Sequence, residues 1–151
     1  MINKLGLSLL LLAFIGNPAW TSTASAVLPG KLTVGVDGLR NTQGLVCVTI
    51  FANSKGFPNN NDGVVKSKCT KISETSSKII FDNLQPGTYA VAVIHDQNQD
   101  QILNLNYLGI PTEGFGFSRN PEVRTSAPKF KDAAFLLAGP NTVIQVQMKY
   151  F

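Results

Sequence analysis

The chain has 151 residues, 13 Lys and Arg against 9 Asp and Glu, a single His and two Cys. A net charge of +4 spread along the sequence lacks the dense basic face that nucleic-acid binding uses. Neither a G-x-S-x-G nucleophile motif nor an H-E-x-x-H metal motif is present.

The first 26 residues read as an export leader. Lys4 supplies a positive start, Leu5 to Ile15 is apolar with Leu9-Leu10-Leu11-Leu12 at its centre, and Ala24-Ser25-Ala26 is a small-x-small cleavage pattern. The apolar run stops at Asn17-Pro18, about half the length needed to span a bilayer. Val27-Leu28-Pro29 follows, with no lipid-accepting Cys. Cleavage would leave residues 27–151 as a single domain, with 12 basic and 9 acidic side chains and no stable membrane span. The expected location is the periplasm or the cell exterior.

Cys47 and Cys69 both lie in this exported part, where an even count favours a disulfide. Closing a loop of about 22 residues contributes on the order of 3 kcal/mol on the chain-entropy account. Two free thiols or a metal pair is the competing reading, and a metal pair lacks a nearby His.

Taken in chain order, the elements are short and alternating. Leu32, Val34 and Val36 precede Asp37-Gly38. Val46, Val48 and Ile50 alternate with Cys47, Thr49 and Phe51 on the other face, and Val65, Ser67 and Cys69 make a weaker strand. Ile79 and Phe81 lead to the turn Gln85-Pro86-Gly87, which starts the strand Tyr89 to Ile94. Phe135 to Leu137 and the alternating Ile144, Val146, Met148 and Tyr150 complete the set. Period two without a helical stretch predicts an all-β chain, an antiparallel immunoglobulin-like or prealbumin-like sandwich of about seven strands.

Residues 97–131 break the rhythm with Pro111, Pro121, Pro128 and several Gly. Tyr107, Leu108, Ile110, Phe115, Phe117 and Phe130 are too apolar for disorder, so this reads as one long ordered loop packed on the sandwich. It is the candidate binding loop, with His95, Tyr107, Glu113, Phe115, Phe117, Arg119 and Asp132 as its residues. Arg119, Arg124, Lys129 and Lys131 make it locally basic, which suits an anionic polysaccharide or phosphate, or simply a solvated face.

At its start, Asp96, Asn98, Asp100 and Asn104 present alternating oxygens, and the carbonyl of Ile102 would complete a ring for calcium. Gln101 stands where such loops take Gly, and Tyr107 where they take a closing Glu. The alternative is a polar turn whose side chains bond their own backbone. His95 could act with Asp96, Asp132 or Glu113 in an envelope hydrolase, yet no nucleophile motif accompanies it. The alternative is a histidine satisfied by hydrogen bonds at the sheet rim.

Leu84-Gln85-Pro86-Gly87-Thr88-Tyr89 resembles the L-x-P-G-x-Y strand start of transthyretin-like and carboxypeptidase-regulatory-like sandwiches. His95-Asp96-Gln97-Asn98, then Asn106 to Ser118 and Phe130 to Phe135, together with Leu32 to Val36 and Gly38-Leu39-Arg40, are similar to the bacterial family called domain of unknown function 2141. The resemblance runs from Lys31 to Tyr150 and implies a small exported sandwich protein without a settled activity. The family's loop after His-Asp is often richer in Asn, Gly and Asp; Gln99 and Gln101 dilute it here. The sequence identifies no reaction. It favours a non-enzymatic module that binds an envelope glycan, peptide or protein.

Overall fold

The computed structural model describes residues 28–151; the leader expected over 1–26 lies outside the described residues. The elements are β1 (Gly30–Asp37), β2 (Leu45–Phe51), β3 (Val64–Lys71), β4 (Ser76–Leu84), β5 (Gly87–Asp96), β6 (Gly114–Phe117), the one-turn helix α1 (Phe130–Ala133), β7 (Phe135–Leu137) and β8 (Asn141–Gln147). They form the expected sandwich, with eight strands in two sheets. One sheet has the order β4-β1-β8. The other has the order β3-β2-β5-β6, with β7 also paired to β5. Among the described residues no helix is long and apolar enough to cross a membrane.

Alternation produces the layers. Leu32, Val34 and Val36 of β1 meet Val46, Val48 and Ile50 of β2 and Val91 and Val93 of β5 in the inter-sheet core, with Ile79, Phe81, Leu137 and Val146. Burying such side chains contributes roughly 1.5–3 kcal/mol each. The pairing is antiparallel throughout except for β1 with β8, which run parallel. Those two strands come from opposite ends of the chain, so no hairpin dictates their direction.

The long irregular loop expected over 97–131 is instead interrupted by β6 and enters α1 at Phe130. β6 reads Gly-Phe-Gly-Phe, and its inward positions are the two glycines, opposite His95 and Val93. A side chain on Gly114 would strike the Tyr150 ring, and one on Gly116 would come within 2.6 Å of Val146. Glycine therefore lets residues 146–150 close against β6. There Phe115 and Lys149 exchange backbone hydrogen bonds of 3.0 and 2.8 Å, which ties the two sheets together along one side.

The apolar residues of that region divide. Phe115 and Phe117 are buried as expected, while Tyr107 and Leu108 are 94% and 65% exposed and Ile110 is also exposed. The reason is local. Asn106 Oδ1 accepts the amides of Leu108 and Ile110, folding residues 106–110 into a turn that stands clear of the sheet.

The disulfide joins Cys47 to Cys69. These residues are direct partners on the neighbouring strands β2 and β3, so the bridge lies within one sheet and does not link the two.

Candidate functional site

The outer face of the larger sheet is where a site forms. Cys47, Thr49 and Phe51 of β2 point outward beside Ala92 and Ile94 of β5 and Phe115 and Phe117 of β6. Thr49 and Ala92, partners across β2 and β5, are small, and they leave a depression with Phe117 beside Ala92, Phe51 at one end and Ile94 and Phe115 at the other.

Loops turn the depression into a trough of about 1100 Å³. The chain leaves β2 after Phe51, and Pro58 to Asn61 make a wall at that end together with Val123 to Ala127. Phe57 anchors this wall by stacking edge-on against Phe51 and Phe130 at 5.1 and 5.9 Å. At the other end the chain leaves β5 after Asp96, and Gln101 to Leu103, Leu105 and Leu108 to Pro111 form the second wall with Phe151. Ile102, Leu105, Leu108, Ile110 and Phe151 are exposed, and all five line the trough. Apolar side chains gathered in water around one concavity characterise a binding surface.

The second wall is held by carboxylates. Asp96 is fully buried, and its two oxygens accept the amides of Asp100 and Gln101 at 3.1 and 2.8 Å. Glu113, also buried, accepts the amides of Gln97 and Asn104 at 2.9 and 3.1 Å, clamping the two ends of the 97–104 turn. Asp100 accepts from the side-chain amide of Asn104 at 3.0 Å, the amide of Ile102 at 2.9 Å and the side-chain amide of Asn98 at 2.8 Å. These bonds, that from Asn104 foremost, hold its carboxyl below the usual range. The proposed calcium ligands Asp96, Asn98, Asp100 and Asn104 are thus brought into one turn, with their carboxylates facing N–H donors. Among the described residues no three His, Cys, Asp or Glu side chains converge as a metal site would need.

His95 faces the inter-sheet core and is 0% exposed. Its Nε2 is 2.8 Å from the carbonyl of Gln43, which can only accept, so Nε2 carries the proton. Nδ1 therefore accepts from the Tyr150 hydroxyl at 2.7 Å, and that hydroxyl in turn accepts the Arg40 amide at 3.0 Å. The Arg40 guanidinium lies 4.1 Å over the Tyr150 ring. Burial raises the phenol's pKa, against the opposing pull of the Arg40 amide and charge. Both ring nitrogens of His95 are thus committed to structure.

The other loop candidates scatter. Asp132 accepts the Lys129 amide at 3.2 Å and starts α1, at the Val91 level of β5, far along the strand from His95. Arg119 donates to the Ala134 carbonyl at 3.2 Å. Tyr107 stands in solvent outside the trough, whereas Phe115 and Phe117 form its floor.

Sequence reasoning passed over Thr49, Ala92, the 58–61 wall and Phe151, and of the 123–127 wall it singled out only Arg124. A signal for the floor did exist. Ala90 to Ile94 is apolar at every position, and such a strand is covered on both faces.

Neither a curated protein nor a solved structure matches the chain. The sequence model of a family described as "Uncharacterized protein conserved in bacteria (DUF2141)" matches residues 34–145, most of the chain, and the protein belongs to that family.

Proposed function

We propose that this protein is an exported, non-enzymatic binding module that takes an apolar ligand into the trough on the outer face of its larger sheet. The observation that carries the reading is the ring of exposed Ile102, Leu105, Leu108, Ile110 and Phe151 around a floor of small and aromatic side chains. Each methylene such a surface removes from water contributes about 0.8 kcal/mol. A lining this apolar suits a hydrocarbon ligand better than an envelope glycan. The hydrolase alternative gains no support, because His95 has no nitrogen left for proton transfer. Titration with the neutral fluorescent probe N-phenylnaphthylamine tests the reading. Saturable binding is expected in the wild type, and Thr49→Phe, which fills the floor, is expected to weaken it about tenfold without lowering the melting temperature. Equal binding by wild type and variant would remove the trough as the site.

Calcium at the 96–104 turn is a second reading, and one observation favours it. Gln101 adopts φ 63° at the position where calcium loops place a left-handed Gly, while Asp96 gathers the amides of residues 100 and 101. Occupancy would require the Asn98 and Asn104 amides to rotate and turn oxygen toward the ion. With so few charges the affinity would lie near about 10⁻⁴–10⁻³ M. A rise in melting temperature in millimolar calcium, abolished by Asp100→Ala, supports the site. Identical melts in calcium and chelator leave the turn held by hydrogen bonds alone.

A further inference from the structure

The two ends of the trough differ in chemistry. The wall after β5 offers Ile102, Leu105, Leu108 and Ile110, with Phe151 beside them. The opposite wall offers Asn59 to Asn61, Arg124, Thr125 and Ser126, all exposed. Charge follows the same axis. The segment that carries the polar wall holds Arg119, Arg124, Lys129 and Lys131 against Glu122 and Asp132, an excess of positive charge. The Arg124–Glu122 pair, 2.8 Å apart, is largely exposed on both sides and is screened by water. At the apolar end Asp100 is exposed next to the lining residues Gln101 and Ile102, and its carboxylate repels an anion.

We infer that the ligand is a single-chain amphiphile with an anionic head, its acyl tail lying toward Leu108 and its head toward Arg124 and Ser126. This deepens the proposed function and rests on the trough being the binding site. The floor supports the direction. It runs along the strands from Phe51 and Ala90 to Cys47 and Ile94, about 13 Å at the rise of a strand, so an extended chain spans it lengthwise. A folded or branched ligand would leave one end empty and the exposed apolar wall in water. A two-chain lipid held in a membrane is the rival occupant. It would engage the rim from outside and leave the floor unfilled.

The only Trp in the chain is Trp20, so full chains carrying Trp20→Phe with either Leu108→Trp or Ser126→Trp each report from one end of the trough. Both introduced sites are exposed, and the substitutions leave the core untouched. The probes are dodecanoates brominated at the ω carbon or at the α carbon, because bromine quenches indole only at contact. The ω-bromo acid is expected to quench Leu108→Trp and spare Ser126→Trp, and the α-bromo acid to do the reverse. Arg124→Glu is expected to weaken dodecanoate roughly fivefold more than it weakens the neutral N-phenylnaphthylamine. A reversed or equal quenching pattern, or tighter binding of dodecyltrimethylammonium than of dodecanoate, overturns the inference while the apolar site stands. Absence of saturable N-phenylnaphthylamine binding in the wild type would take the proposed function down with it. Protein that pellets with phosphatidylglycerol vesicles yet is not quenched by monomeric dodecanoate would assign the rim to a membrane surface and overturn the inference too.

Discussion

His95 shows how a single side chain can look catalytic in sequence and be structural in three dimensions. Its neighbours Asp96 and Glu113 are buried too, but each spends its oxygens on backbone amides of the turn that follows. What His95 organises is the closure of the sandwich, through Gln43 on one nitrogen and Tyr150 on the other. Tyr150→Phe removes the donor to Nδ1 and the acceptor of the Arg40 amide, and a buried unpaired group costs about 1–3 kcal/mol. The pH dependence carries a sign. The phenol's pKa is raised in the fold above the ordinary value of 10.0, so its contribution is complete below that value and is lost as pH rises through the folded pKa. Melting temperatures measured across the alkaline range should therefore fall more steeply in wild type than in Tyr150→Phe. Parallel curves would show that Tyr150 titrates alike in the folded and unfolded chain.

At the scale of elements, β6 was hidden from pattern reading because its inward positions are Gly. Alternation appears only when one face is apolar and the other polar, and Gly-Phe-Gly-Phe is apolar on the outer face and empty on the inner one. The disulfide was legible as a pair, and its place was not. It fastens β3, an edge strand whose exposed Lys68 and Lys71 discourage further pairing, to the interior strand β2. The other sheet ends in β8, whose free edge is occupied by Asn120. That side chain donates to the Gln145 carbonyl and accepts from the Gln147 amide, as a neighbouring strand would. Replacing both cysteines with Ala should lower stability by about 3 kcal/mol, read as a shift of the urea midpoint. Because β2 and β3 also share a full ladder, the double variant should still fold. A variant with the same midpoint as wild type would show that the ladder alone holds the edge.

For the whole molecule, the inter-sheet core and the outer-face cluster are separate bodies of apolar packing that share β2 and β5. The core makes the sandwich, and the outer cluster makes a floor. Limited proteolysis should separate the two. The turn at Tyr107 and Leu108 is exposed and stands away from the sheet, so a chymotryptic cut is expected there first. The two fragments should stay associated, because β5 pairs with β6 and β7 and β1 with β8 across the cut. First cleavage at Phe115 or Phe117 would mean that the floor opens in solution. Mass measurement of the chain recovered from the periplasm tests export at the same scale, with Val27 expected as the first residue.

Periodicity determined by itself that the chain is a β-sandwich, because a residue's side of a strand depends only on its neighbours two positions away. Composition and the two cysteines likewise announced the bridge, and the run of motifs from Lys31 to Tyr150 announced the family. The trough belongs to tertiary structure alone. It exists because Thr49 and Ala92, 43 positions apart, are partners across two strands, and because loops from opposite ends of those strands rise around them. No local pattern records which small residues will lie side by side. The same holds for His95, whose role follows from a tyrosine next to the C-terminus and a carbonyl in the turn before β2.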